Sequence, residues 1–248
     1  MNPILELHPS AAVGPAPGLT FDAFIAGDSN REALSATKAV LMNSGNLLIL
    51  CGGSGTGKTH LLNAVHAELL AKDPAAVIKH LNTDDFTSYL IQSIRTETTE
   101  QFRAECQTAD AFLLDDVQFL SGKPRTQEEL LLILQTRSQA KLCTMITADL
   151  SFEDAASICD RLCEQFPNAV SAAISEPDQG IRAELVRAKA KDLGLFLSEE
   201  EMDLIAQQVS GNLRSIHGIL TRINFYRSFP EAFPDAPSVA EIVRSINS

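Results

Sequence analysis

The sequence predicts an α/β fold: a parallel sheet flanked by helices, followed by a small all-helical domain. Three observations predict it. Short runs that are apolar throughout, such as Leu47–Cys51 "LLILC" and Ala111–Leu114 "AFLL", alternate with stretches of helical periodicity. Strands of that kind are buried on both faces, which is the environment of a parallel sheet covered by helices. A glycine-rich stretch, Cys51–His60 "CGGSGTGKTH", joins the first such run to the first strongly periodic helix. After Glu176 the strand pattern stops and only helical periodicity continues.

The elements follow in order. Residues 1–19 begin "MNPILELHPSAAVGPAPG" and read as a flexible leader broken by Pro and Gly, without the basic start and long apolar core of a signal peptide. Residues 20–175 form the expected nucleotide-binding α/β domain and 176–248 the helical one. Leu47–Cys51 is a buried strand ending at glycines. Lys58–Ala71 carries Leu61, Leu62, Val65, Leu69 and Leu70 at helical spacing. Ala76–Leu81 is a second strand. Thr83–Arg95 and Thr98–Gln107 are two short helices, with Asp84, Asp85 and Thr98 at their starts, where acids and hydroxyls stabilise the first turn. Ala111–Leu114 is the third strand and runs into two aspartates. Gln127–Gln139 is a helix, Leu142–Thr147 a fourth strand and Ala169–Ile174 a fifth. Pro177–Leu193, Ser198–Val209, Asn212–Phe229 and Ser238–Ile246 are the helices of the second domain.

The 248 residues are 45% apolar and 21% charged, the balance of a globular chain. No run approaches the roughly 18 apolar residues of a membrane span, and the expected location is the cytoplasm. Against 20 Lys and Arg stand 32 Asp and Glu, a net charge of −12. Phosphate neutralisation supplies most duplex-DNA affinity, so this chain alone is not expected to recognise duplex DNA. A protein partner is the expectation instead. The five cysteines show no framework spacing. Cys51 and Cys143 lie in apolar runs and are expected as buried reduced thiols, while Cys159 and Cys163 share a helix face without further ligands nearby.

Gly52 to Thr59 fits G-x-x-x-x-G-K-[ST]. Its glycines let backbone N–H groups point at phosphate oxygens, and the helix that follows adds its positive N-terminus. Lys58 is expected to reach the β and γ phosphates and the Thr59 hydroxyl to ligate Mg²⁺. The candidate nucleotide-binding residues are therefore Gly52, Gly53, Ser54, Gly55, Thr56, Gly57, Lys58, Thr59 and His60, with ATP or ADP and Mg²⁺ as the cofactors. Asp115 is expected to hold Mg²⁺ through water and Asp116 to orient the attacking water. Asp149, placed just past the fourth strand, is a candidate sensor of the γ-phosphate, although alone it reads as a turn aspartate. Lys123, Pro124 and Arg125 form a small basic loop, equally suited to solvent or to a nucleic-acid phosphate. His66, His80 and His217 show no ligand spacing, and "EEE" at Glu199–Glu201 reads as a charged first helical turn.

With these parts in place, the chain resembles the AAA+ ATPase core of the bacterial DnaA replication initiators and their truncated Hda-type relatives, from about Thr20 to near the C-terminus. "TFDAFIAGDSNREA" resembles the entry to that family's adenine pocket. "GGSGTGKTHLLNAV" resembles its Walker A segment and "LLDDVQFLSGKPRTQEEL" its Walker B segment. "FTSYLIQSIRTETTEQFRAE" resembles the helical pair that helps these initiators form a filament and contact single-stranded DNA. "GNLRSIHGILTRI" resembles the sensor 2 helix, and that resemblance puts Arg214 over the γ-phosphate. It also implies that the helical domain is an AAA+ lid.

Two departures qualify what the resemblance implies. In the initiators a segment like "DRLCEQF" carries two arginines four apart, the second being the finger that acts on a neighbour's ATP. Arg161 matches the first, but the second position is Gln165 here. The initiators also continue into a helix-turn-helix domain that has no counterpart in these 248 residues. "ILELHP" at residues 4–9 echoes the clamp-binding peptide of Hda-type proteins only faintly, lacking its glutamine, so the sliding clamp is a doubtful partner. The resemblance implies contact with a DnaA initiator or another AAA+ subunit, regulation of chromosomal replication, and slow ATP hydrolysis without a conventional finger. The rival expectation is a helicase-loader-like ATPase acting on single-stranded DNA. Arg182 is an alternative candidate for the finger's role.

Overall fold

The computed structural model describes residues 14–42, 47–153, 155–209, 213–233 and 235–245. The 4–9 segment and the starting residue of the expected 212–229 helix lie outside them. Five parallel strands, β1 (Leu47–Gly52), β2 (Ile78–Asn82), β3 (Ala111–Asp115), β4 (Cys143–Asp149) and β5 (Val170–Ile174), form one sheet in the order β2-β3-β4-β1-β5. The three inner strands are buried at every residue, as a sheet covered on both faces requires. The outer two are not. β2 carries half-exposed Lys79 and His80, and β5 exposes Ser171, because an edge strand meets solvent along one side.

The helices sort onto the two faces by the period-two alternation of strand side chains. Leu48 and Leu50 of β1 point with Leu113, Met145 and Ala172 toward α1 (Arg31–Met42) and α2 (Lys58–Lys72). Ile49 and Cys51 point the other way, with Phe112, Leu114 and Ile146, toward α3 (Thr83–Arg95), α4 (Thr99–Thr108), α5 (Pro124–Gln139) and α6 (Ala155–Gln165). α1 was not among the elements placed from the sequence; its buried face is Ala33, Thr37 and Val40. Two of these are small or polar, and the Thr37 hydroxyl is satisfied by donating to the Ala33 carbonyl at 2.7 Å.

Three local expectations need correction. Pro124 and Arg125 are not loop residues. They open α5, since proline's fixed φ suits the first helical turn and its missing N–H is no loss there. β4 extends through Asp149, so that carboxylate ends the strand instead of following it. Asp116 stands outside β3, in the left-handed region at φ 63°.

Sequence spacing also gave no hint that His66 and His80 meet. His66 is fully buried, its Nδ1 lies 3.0 Å from His80 Nδ1, and its Nε2 has no partner among the described residues. Burial first, and the neighbouring His80 second, hold His66 down at about 4 against an ordinary 6.5. The neutral imidazole is therefore native. Above pH 6.5 it is uncharged in both states and costs nothing. As pH falls from 6.5 toward 4 the unfolded chain takes up a proton that the folded chain refuses, and stability declines by up to about 3 kcal/mol. Urea titrations at stepped pH should show this slope, and His66→Gln should flatten it.

The second unit comprises Ile25–Arg31, Gly53–Gly57 and the chain from Ser175 onward. Its helices are α7 (Gln179–Asp192), α8 (Glu199–Gln208), α9 (Leu213–Ser228) and α10 (Val239–Arg244), around a core that includes Val186, Ile205, Ile216, Leu220 and Ile242. α8 and α10 both start with a capping box, Ser198 with Glu201 and Ser238 with Glu241. One member of the "EEE" run is thus accounted for by helix initiation. Among the described residues, no helix is long and apolar enough to cross a membrane.

Candidate nucleotide site

In the sheet-centred unit, candidate residues gather at the carboxyl ends of the inner strands, where open parallel sheets hold ligands. β1 ends at Gly52, whose carbonyl accepts from Lys58 Nζ at 3.0 Å. Lys58 and Thr59 open α2. The Lys58 ammonium is 5% exposed and lies 3.8 Å from Asp149 Oδ2 at the end of β4. Thr59 Oγ1 donates to Asp115 Oδ2 at 2.7 Å. The two oxygens brought together here are hard donors of the kind Mg²⁺ takes, and the pairing fits that ion. His60, one position on, bonds through Nε2 to the Thr20 carbonyl at 2.8 Å and packs edge-on to Phe24. It fixes the incoming chain to α2.

Asp116 is held from all sides. Its N–H donates to Thr147 Oγ1 at 3.0 Å, its carbonyl accepts from Thr83 Oγ1 at 2.9 Å, and its carboxylate accepts from Gln118 Nε2 at 3.0 Å. A left-handed conformation in a non-glycine residue costs energy and persists where neighbours over-determine it, often at functional sites. Burial raises the Asp116 pKa above the usual carboxylate value. The Gln118 hydrogen bond opposes this, and the charge of Asp115 adds to it.

Two residues of this cluster were not anticipated. Thr147 donates to Asp115 Oδ1 while accepting from the Asp116 N–H. Gln118 donates to Asp116 and accepts the Asp149 N–H at 2.9 Å, so one amide aligns both acids. Thr147 had a legible signal, being a buried polar residue two places before Asp149 and so on the same face of β4. Gln118 had none, because its position depends on the 3-10 turn Val117–Leu120.

The glycine-rich turn Gly53–Gly57 belongs to the second unit. Gly55 at φ 67° and Gly57 at φ 111° adopt conformations that a side chain would strain. Thr56 Oγ1 donates to the Gly53 carbonyl at 3.0 Å. Within this unit the Leu213 N–H donates to the Gly55 carbonyl at 3.0 Å, and Arg214 Nη1 to Ser54 Oγ at 2.8 Å. The first turn of α9 thus meets the turn through which phosphate is expected to bind. Ser29, in the segment expected at the adenine pocket, has a buried hydroxyl without a partner among the described residues.

A glycine-rich turn between strand and helix, a threonine–aspartate oxygen pair across from a buried lysine, a five-stranded parallel sheet and a following helical unit define a P-loop protein of the AAA+ class. More particularly, the chain belongs to the bacterial DnaA ATPase domain family, which matches residues 16–173. It is 35% identical over 219 residues to the chromosomal replication initiator protein DnaA of Chloroflexus aurantiacus, covering 87% of this chain and 46% of that protein. It therefore spans about half the length of that relative. Among solved structures, domain III of the Thermotoga maritima replication initiation protein DnaA superimposes with TM-score 0.77 at 26% identity, covering 92% of this chain and 95% of that one. A replication initiator DnaA bound to AMPPCP and single-stranded DNA superimposes with TM-score 0.75 at 31% identity, covering 88% and 69%.

Proposed function

We propose that this chain binds ATP or ADP with Mg²⁺, and that it acts in bacterial replication initiation by docking onto initiator subunits as a partner that holds ATP. In this reading residues 20–175 bind the nucleotide and 176–248 act as the lid. The observation that carries it is Gln165, exposed at the last turn of α6 where the family has its finger arginine, in a chain whose Walker residues are all present. A finger contributes on the order of 10³–10⁵ in rate where it acts, and glutamine has no charge to supply. Arg182, the alternative candidate for the finger's role, donates through Nε to the Ala206 carbonyl at 2.8 Å and through Nη1 to the Pro177 carbonyl at 2.7 Å.

The turn Gly53–Gly57 and Lys58 bind the phosphates. Thr59 and Asp115 would hold Mg²⁺, which would supply charge neutralisation at the phosphates. Asp116, held by Thr147, Thr83 and Gln118, orients the attacking water. Asp149 and Arg214 sense the γ-phosphate. The AMPPCP-bound relative supports nucleotide binding. The chain's own hydrolysis is slow until another subunit supplies an arginine.

A second reading, an ATPase working on single-stranded DNA, is favoured by the DNA-bound relative, by exposed Ile91, Ile94 and Arg95 along α3, and by exposed Arg125 in the first turn of α5. One experiment separates the two. Steady-state hydrolysis is measured for the purified chain alone, with single-stranded DNA, and with the same organism's initiator loaded with ATP, alongside co-purification of the pair. Docking predicts co-purification and a rise in this chain's own turnover with the initiator. No complex and no change in either ATPase would sink it. Stimulation by DNA alone, weakened by Arg125→Ala, would select the second reading.

A further inference from the structure

We propose that Cys51 and Cys159 are a reversible oxidation site, forming a disulfide under hydroperoxide that weakens nucleotide binding. The bond itself is independent of the functional reading above, while its effect on ATP rests on it.

The two sulfurs stand 3.3 Å apart in the sheet-centred unit. Both cysteines are free, and they are 8% and 7% exposed. Cys51 is the last side chain of β1 before Gly52 and points to the face on which α6 packs, among Ile158, Cys159 and Leu162. Its register neighbours are Ala148 on β4 and Ala173 on β5, so small side chains flank it and α6 reaches the strand. A disulfide needs the sulfurs at about 2.05 Å, a closure of roughly 1.2 Å that side-chain rotation and a small slide of α6 can provide. The hydrogen bond from Cys159 favours the Cys51 thiolate, and the Lys58 charge adds to this against the opposing effect of burial. The Cys159 thiol is correspondingly raised. The pair is thus divided into an attacking thiolate and a resolving thiol.

The chemistry balances. The Cys51 thiolate attacks the terminal oxygen of a hydroperoxide, a sulfur–oxygen bond forms, the oxygen–oxygen bond breaks, and the alkoxide leaves as alcohol with the proton Cys51 gave up. The Cys159 sulfur then attacks the Cys51 sulfenic sulfur. The sulfur–oxygen bond breaks and hydroxide leaves as water with the Cys159 proton. Two thiols lose two electrons in all, and the peroxide is reduced to alcohol and water. The cross-link pulls the end of β1 toward α6. That moves the Gly52 carbonyl, which receives the Lys58 ammonium, and ties it to the helix that carries Arg161 and Gln165.

The test treats the full chain with a small excess of tert-butyl hydroperoxide, alkylates the remaining thiols, and maps peptides without reduction. ATP affinity is measured in parallel by fluorescent-nucleotide titration. The expected result is a Cys51–Cys159 peptide, reversed by dithiothreitol, retained in Cys163→Ser and absent in Cys159→Ser. Affinity should fall about tenfold on oxidation in the wild type, because misplacement on the ångström scale is costly in a preorganised site. It should not fall in Cys159→Ser. Cys159→Ala serves the same purpose if the serine variant folds poorly. The proposal is overturned if both thiols remain alkylatable, if the bond joins Cys159 to Cys163, if Cys51 proceeds to a sulfinic acid, or if the bond forms and affinity is unchanged. Should the reduced chain bind no ATP, the functional reading fails, and the peptide map still decides whether the pair is an oxidation site.

Discussion

Lys58→Ala should lower ATP affinity by about 100-fold or more while the chain still folds. The side chain is the only buried lysine among the described residues, and it stands at the first position of α2 with its ammonium on the Gly52 carbonyl. A charge-assisted contact to phosphate in so enclosed a place is worth about 3 kcal/mol, which is the stated factor. The substitution has a second effect. Asp149, 5% exposed, loses the cation 3.8 Å away and is left as a buried carboxylate without it. Breaking one side of such a pair costs stability, whereas removing both charges costs much less. The double variant Lys58→Met, Asp149→Asn should therefore recover most of the lost stability and none of the lost affinity. Isothermal titration with ATP and urea melts of the three proteins check both halves. A single variant that binds ATP within threefold of the wild type would refute the role given to Lys58.

Arg137→Met should destabilise the chain by about 3–5 kcal/mol without touching the nucleotide site. Arg137 is fully buried and faces carbonyls instead of a carboxylate. Its Nη1 donates to the carbonyls of Cys106 and Ala109 at 2.9 and 2.8 Å, its Nη2 to that of Cys143 at 2.6 Å, and its Nε to Thr144 Oγ1 at 2.9 Å. Cys106 and Ala109 lie at the end of α4, where helix carbonyls have no partners in the helix and the dipole is negative. One guanidinium thus terminates α4 and ties it to the start of β4. Burial lowers its pKa to about 10, so it stays charged at neutral pH. Methionine fills much of the volume and leaves those carbonyls buried without a donor. The predicted loss lowers the melting temperature by about 10 °C for a chain of this size. Arg137→Lys keeps the charge but not the fork, and should fall between the two. Urea midpoints with unchanged slopes would measure it, and a loss under 1 kcal/mol would contradict the assignment.

These two residues differ in how legible they were. Lys58 was plain, because the phosphate loop is local: eight consecutive residues specify turn, helix start and ligand groups together. The inner strands were plain for a similar reason, since burial on both faces leaves an unbroken apolar run. Arg137 reads in sequence as one more charged residue near a helix end. Its partners lie 28 to 31 residues upstream and 6 to 7 downstream, and only the fold brings them to it. Gln118 was obscure on the same ground. The Asp115–Asp116 pair was visible as two acids after a strand, but not the left-handed turn that separates their roles. α1 was not placed from the sequence, although Ala33, Leu34, Thr37, Val40 and Leu41 follow helical spacing and face the core. Gln165 is the reverse case, conspicuous against the family's pattern and structurally ordinary as an exposed residue at a helix end.

The central claim is a site that holds ATP and hydrolyses it slowly by itself. A single-turnover experiment tests it most directly: the purified chain in excess over radiolabelled ATP with Mg²⁺, with bound and hydrolysed nucleotide followed together in time. Rapid, saturable binding that requires Lys58 is expected, with bound ATP persisting largely intact until an arginine-bearing AAA+ subunit is added. No binding, or rapid hydrolysis by the chain alone, would contradict it.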